Sequence, residues 1–344
     1  MDFSLFYFAD DSTARDGGRY DLLLEGAKFA DEHDFTAVWT PERHFHAFGG
    51  LYPNPSVTGA AIAAVTKRVK IRAGSVVGPL HHPLRIAEEW SVVDNLSGGR
   101  VGISFASGWH ATDFALRPEN YADRKAHTMD TMGQVRKLWR GEQIEVTDGL
   151  GRPSRLGIHP PPVQAELPVW LTSAGGIETF RSAGQAGVGV LTHLLGQEPA
   201  ELAAKIAAYR EEIAVHDQPG HVVLMVHAYL GEDEDRTREA VRGPLCAYLR
   251  SSLGLLLGSQ RFDIAKLAPE DVDFLVHQAF DRYFDHGGLL GTVDKLRSTV
   301  DGFADIGVDE VACLIDFGLP AADVLAGLPR LNQLRQSVRE ASAW

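Results

Sequence analysis

The sequence predicts an α/β fold, a (β/α)8 TIM barrel carrying insertions, and three observations predict it. Eight short apolar runs alternate with stretches of helical period along the whole chain, the pattern of βα units around a parallel sheet. Each run is nearly continuous in apolar residues, as a strand covered on both faces requires. No Pro/Gly/Ser-rich or charged linker divides the 344 residues, so positions 1–344 read as one domain.

The expected strands are Phe3–Phe8, Phe35–Trp39, Ile71–Val77, Val101–Ala106, Val169–Ser173, Val188–Thr192, Val222–Leu230 and Val311–Ile315. Between them the helices have the right period. Ile86, Trp90 and Val93 fall at i, i+4 and i+7, and Ser97-Gly98-Gly99 supplies the glycine that ends that helix. Two segments exceed a minimal barrel. Positions 141–168 contain Thr147-Asp-Gly-Leu-Gly-Arg-Pro153, turn chemistry for a small hairpin, closed by Pro160-Pro-Pro162. Positions 243–290, between the seventh and eighth runs, include Ser251-Ser-Leu-Gly-Leu-Leu-Leu-Gly258 and the Gly287-Gly288 pair, and form a candidate lid over the active face or an inert helical decoration of the barrel.

Composition excludes several functions. A formal charge of −13 without basic clusters or interleaved aromatic platforms argues against nucleic acid or an anionic membrane as partner. No apolar run approaches the roughly 20 residues needed to span a bilayer, and the opening Met1-Asp-Phe-Ser-Leu-Phe reads as a strand and not as a secretory signal. A cytoplasmic enzyme is expected. Cys246 and Cys313 are too few for a disulfide framework and lack C-x-x-C spacing, so they read as packing residues.

In a TIM barrel the active site lies at the carboxyl ends of the strands, so its candidates can be named from the sequence. They are Glu42, Arg43, His44 and His46 after the second strand, and Gly78 to His82 after the third. Ser107, Gly108, Trp109, His110 and Asp113 follow the fourth strand, Ser173 to Gly176 the fifth, and His193 the sixth. Histidines are the natural proton carriers near neutral pH. Thr172-Ser-Ala-Gly-Gly176 runs straight into a helix, so Ser173, Ala174, Gly175 and Gly176 offer backbone N–H groups to a phosphate; ordinary helix capping would look the same.

Three ordered stretches carry a family resemblance. Trp39-Thr-Pro-Glu-Arg-His-Phe-His-Ala-Phe-Gly-Gly-Leu-Tyr-Pro-Asn-Pro55, Ala73-Gly-Ser-Val-Val-Gly-Pro-Leu-His-His-Pro83 and Asp94-Asn-Leu-Ser-Gly-Gly-Arg-Val-Gly-Ile-Ser-Phe-Ala-Ser-Gly-Trp-His110 resemble bacterial luciferase-like flavin monooxygenases. Phe105-Ala-Ser-Gly-Trp-His110 and Leu191-Thr-His-Leu-Leu-Gly-Gln197 are most similar to the MupA-like branch of natural-product biosynthesis.

The resemblance implies an enzyme that takes reduced FMN from a separate NAD(P)H-dependent flavin reductase and uses O2 to oxygenate a substrate. It places Glu42, Arg43 and His44 at the flavin edge, and Gly74-Ser75 on a strand-three bulge with a non-prolyl cis peptide. Ala106 and Ser107 fall behind the ring, with Gly108 and Trp109 following, and Ser173–Gly176 around the phosphate. His44 and His110 are the proton-transfer candidates, Arg43 a stabiliser of negative charge, and Asp113 a holder of a neighbouring histidine's tautomer or a loop cap. The family's Glu-His-His-Phe is Glu42-Arg43-His44-Phe45 here, and an arginine that cannot act as a base replaces luciferase's principal histidine. Ser107 likewise replaces an arginine directed at the flavin phosphate.

Light emission from aldehydes is therefore not expected; hydroxylation at carbon or nitrogen of a biosynthetic intermediate, free or carrier-protein-tethered, is. A homodimer or higher homo-oligomer is also implied, for which the helix Asp21–Ala30 is available if it does not cover the barrel instead. Other readings stay open: an F420-dependent hydride-transfer enzyme of the same fold, a non-catalytic flavin binder, or a barrel metal hydrolase built on His44-Phe-His46 and His81-His82. No metal is expected, since these pairs sit on different strand ends without a ligand pattern.

Overall fold

The structure, a computed structural model, describes residues 1–8, 18–173, 175–258 and 268–341. Strands β1 (Asp2–Phe6), β2 (Ala37–Thr40), β3 (Lys70–Val77), β4 (Val101–Ala106), β7 (Val169–Thr172), β8 (Gly189–His193), β9 (Val222–Leu230) and β11 (Glu310–Leu314) follow one another around a barrel. Between them in the chain lie the hairpin strands β5 (Ile144–Thr147) and β6 (Pro153–Leu156) and a short β10 (Leu289–Gly291). Every barrel pairing is parallel, and β11 closes the ring against β1. All eight expected runs are strands, with ends shifted by at most two residues. Strand β10 was not expected; it pairs with Ala228–Leu230 at the carboxyl end of β9.

The barrel floor is filled by a buried polar plug. The Arg72 guanidinium reaches both oxygens of Glu310 at 3.1 and 2.8 Å and lies 4.9 and 4.5 Å from the ring centres of Trp39 and Trp170. Trp39 Nε1 and Ser4 Oγ also donate to Glu310 Oε1, so its lone pairs are met on several sides. A charge pair so enclosed keeps its bonds only where geometry is fixed, and here four strands, β1, β2, β3 and β11, fix it. The site must therefore lie above it, at the carboxyl ends.

Helices form where caps and period coincide. Helix α1 (Asp21–Glu32) buries Leu22, Leu23, Gly26, Ala27 and Ala30 inside this chain, so the apolar face considered for a second copy is taken up in covering the barrel. Helix α2 (Pro55–Val65) begins with Pro55 after Asn54, whose side chain accepts from Ser56 N and Val57 N; loss of such a cap costs about 0.5–2 kcal/mol. Helix α3 (Pro83–Ser97) buries Ile86, Trp90 and Val93 and ends at Gly98, φ +70°. The intervening 141–168 segment is the antiparallel β5–β6 hairpin that its turn residues promised. Later come α4 (Arg124–Trp139), α5 (Ile177–Gln185), α6 (Pro199–Ile213), α7 (Glu234–Gly258) and α8 (Pro269–Arg282). The last two span most of the expected lid, whose residues 259–267 lie outside the described residues. Helices α9 (Val293–Asp305) and α10 (Ala321–Ala341) complete the outer ring. No described helix is long and apolar enough to cross a membrane. Both cysteines are buried and unpaired in disulfides.

Candidate active site

The segment after β2 folds back over the barrel mouth and delivers Glu42 into the interior, where it becomes a hub. Its Oε1 accepts from His44 Nε2 at 2.7 Å and His81 Nε2 at 2.5 Å, and its Oε2 from Val77 N at 2.7 Å. An ionised carboxylate can only accept, so both imidazoles carry their proton on Nε2. Burial works to raise the Glu42 carboxyl, but the bonds from His44, His81 and Val77 outweigh it and hold it below the usual carboxylate range. For His81 burial pulls downward and the Glu42 bond more than compensates, so its imidazole is held above 6.5.

Arg43 points the other way, into the loop after β4. Its Nη1 reaches both oxygens of Asp113 at 2.6 and 2.5 Å, with the side chains only 3% and 7% exposed. Asp113 thus grips the arginine. It stands 3.7 Å from His110 Nδ1, too far for a hydrogen bond, so the expected role of holding a histidine tautomer is not the contact formed. The Arg43 guanidinium also lies 4.9 Å from the centre of the half-exposed Trp109 ring. His110 Nδ1 and Arg43 Nε are buried without a hydrogen-bond partner among the described residues. Burial first, then the Arg43 charge, keeps the His110 imidazole below its ordinary value, with Asp113 partly offsetting. His46 is exposed; its Nδ1 accepts from Phe48 N, and its ring centre lies 6.0 Å from that of His110.

The β3 bulge lies between Gly74 and Val76, and Gly74–Ser75 is a cis peptide, as the resemblance implied. A Cβ on Gly74 would meet Phe6 at 2.7 Å and Trp39 at 3.1 Å, so only glycine fits there. Ser75 Oγ bonds Thr172 Oγ1, which also lies 2.7 Å from Ser104 Oγ, tying β3, β4 and β7 through hydroxyls. Ala106, Ser107 and Gly108 follow at the rim, half-buried, and Gly108 takes φ +71°.

Across the mouth, Ser173 Oγ accepts from Gly175 N at 3.3 Å, and Gly176 precedes α5 without a side-chain cap. Ala174 lies outside the described residues. A Cβ on Gly175, φ +116°, would find Lys205 Nζ at 3.5 Å and Gln197 Oε1 at 3.6 Å, so the bare glycine backbone stands beside a cation. Lys205 Nζ donates to Gln197 Oε1 at 2.7 Å, and Gln197 in turn bonds the His193 carbonyl. His193 Nδ1 accepts from Leu195 N, and burial, with the Lys205 charge, pushes its imidazole down to about 4.

Sequence reasoning had named most of these residues but not their partners. His81 as a second donor to Glu42, and Lys205 on the exterior helix α6, were missed. For metals, the structure joins neither His44 with His46 nor His81 with His82; His82 caps α3 through Leu84 N. It brings together Glu42, His44 and His81 within 4.8 Å. Their 2.5 and 2.7 Å separations are those of hydrogen bonds, whereas tetrahedral zinc ligands about 2.1 Å from the ion stand about 3.4 Å apart.

The family model for luciferase-like monooxygenases matches residues 1–310. The chain belongs to that family. Among curated relatives, the oxygenase component of the flavin-dependent trigonelline monooxygenase of Acinetobacter baylyi is 25% identical over 343 residues, 96% of this chain and 93% of that protein. The 4-hydroxyprotoasukamycin monooxygenase of Streptomyces nodosus is 27% identical over 188 residues, 54% of this chain and 50% of the other. Among solved structures, the monooxygenase RslO1 of Streptomyces bottropensis superposes with a TM-score of 0.80 at 22% identity, covering 97% of this chain and 98% of that one. An F420-dependent secondary alcohol dehydrogenase gives 0.72 at 18%, covering 98% and 99%. At such identities these two likenesses establish the fold alone. This luciferase-like monooxygenase is an enzyme whose barrel mouth gathers a carboxylate hub, a buried cation and unpartnered imidazole nitrogen.

Proposed function

We propose that the chain is the oxygenase component of a two-component system, taking reduced FMN from a separate NAD(P)H-dependent reductase and using O2 to hydroxylate a biosynthetic intermediate, free or carrier-bound. The observation that carries this reading is the end-to-end correspondence with a relative named as the oxygenase component of a flavin-dependent monooxygenase. The residues present fit the cofactor. The Gly175 backbone, beside Lys205 Nζ and Ser173, suits a phosphate, and Lys205 supplies the positive charge that Ser107 does not. At the other end, unpartnered Arg43 Nε and His110 Nδ1 offer a donor and a ring nitrogen to the flavin edge.

Bound reduced FMN supplies the electrons that activate O2. The protein does the rest. Arg43, fixed by Asp113, presents permanent positive charge to any anion formed at the mouth, in a site where little water screens it. His110, held neutral near pH 7, can take a proton on an unpartnered nitrogen. His44 keeps its Nε2 proton on Glu42 and is thereby fixed in one orientation, leaving Nδ1 for exchange. Anaerobic titration with reduced FMN and reduced F420 tests the reading: it expects FMN to bind at least about tenfold more tightly, and tighter F420 binding with hydride transfer to a ketone overturns it.

A further inference from the structure

Resting on that reading, the kind of substrate can be narrowed from one histidine the mechanism does not use. His227, on β9, is 0% exposed, and neither its Nδ1 nor its Nε2 has a hydrogen-bond partner among the described residues. Buried polar groups are nearly always satisfied, so two orphaned nitrogens on one ring ask for a partner. Its neighbours do not provide one. Tyr248, Tyr283 and Phe317 surround the imidazole at centroid distances of 4.5, 5.3 and 5.4 Å, all at 82–83°, and contacts with ring faces are second-order. Burial, with His193 nearby, pushes the imidazole down to about 3. It is therefore uncharged at any working pH, with one donor and one acceptor. The aromatic wall runs on from Tyr248 to Phe48 at 4.8 Å and from Phe48 to Phe8 at 4.9 Å. A Cβ on Gly49 would touch both Phe8 and Arg43 at 2.9 Å, so the wall ends against the Arg43 cluster.

We propose that His227, Tyr248, Tyr283, Phe317, Phe48 and Phe8 form the substrate pocket, built for an uncharged planar aromatic compound whose hydroxyl or carbonyl oxygen bonds His227. A charged substrate would meet no counter-charge on His227, and an aliphatic chain would offer the ring walls no planar face. Had His227 served packing alone, phenylalanine would do better.

The test is calorimetric titration of the FMN-loaded protein with 2-naphthol, naphthalene and decanal. Wild type is expected to bind 2-naphthol about tenfold or more tighter than naphthalene, and decanal more weakly than either. His227→Phe should bind naphthalene as wild type does, lose the preference for 2-naphthol, and melt no lower. Tyr248→Leu should weaken both aromatic ligands alike. Equal binding of 2-naphthol and naphthalene by wild type, a preference that survives His227→Phe, or a lowered Tm in His227→Phe, the mark of a structural histidine, overturns the pocket. Flavin fluorescence on the same samples separates the two claims. Failure of wild type to bind FMN overturns the reading beneath, whereas FMN binding without the naphthol preference overturns the pocket alone.

Discussion

Replacing Asp113 with asparagine removes one charge of a pair that lies almost wholly out of water and leaves the other behind. Arg43 is 3% exposed and Asp113 7%, with contacts of 2.6 and 2.5 Å. Unit charges about 4 Å apart at an effective dielectric of about 20 attract by about 4 kcal/mol. Measured losses on breaking buried pairs from one side, about 3–5 kcal/mol, agree with that figure. Asp113→Asn and Arg43→Met should each destabilise the protein by about 3 kcal/mol. The double variant should fall well short of their sum, because it leaves no orphaned charge. Urea unfolding of the four proteins, compared at constant slope, measures the coupling. Single variants within about 0.5 kcal/mol of wild type, or an additive double variant, would refute the claim that the mouth is dry around this pair.

Other consequences follow from the same geometry. Gly74→Ala drives a methyl against Phe6 and Trp39 and should cost about 1–3 kcal/mol of stability, read by the same unfolding curves. Lys205→Met should weaken FMN binding by about 10- to 100-fold and leave riboflavin unchanged, as loss of a charge-assisted contact to phosphate predicts; equal losses for both would remove Lys205 from the cradle. The Glu42 hub has a pH window. His81 is raised in the folded protein, so its contribution is whole below 6.5 and is lost as pH rises through its folded value; Glu42 is lowered, so its contribution is whole above 4.5 and is lost as pH falls through its folded value. Stability should thus peak between those limits, and His81→Gln should flatten the alkaline side; an unchanged profile would separate His81 from Glu42.

The barrel was legible because parallel strands covered on both faces cannot hide their composition: Val101–Ala106 and Val222–Leu230 have the expected bounds. Strand β10 was not, since three residues after Gly287-Gly288 read as loop and pair only with an extension of β9. The candidate site was legible as a set of strand ends, and Arg43, Asp113 and His110 do lie together there beside Glu42. Who binds whom was not. Asp113 sits three residues from His110 but 70 from Arg43, and a contact across that separation is not visible in the chain. His227 looked like one more strand residue because orphaned nitrogens are a property of packing. Lys205 carried no sign at all, as a lysine on a helix usually faces solvent.

The most direct test of the central claim is to mix the protein anaerobically with photoreduced FMN, admit oxygen in a stopped-flow cell, and record the whole flavin spectrum. A protein-held transient, distinct from both reduced and oxidised flavin and shortened in lifetime by Arg43→Met, is the result this account predicts. Reoxidation at the rate and with the spectra of free flavin would contradict it.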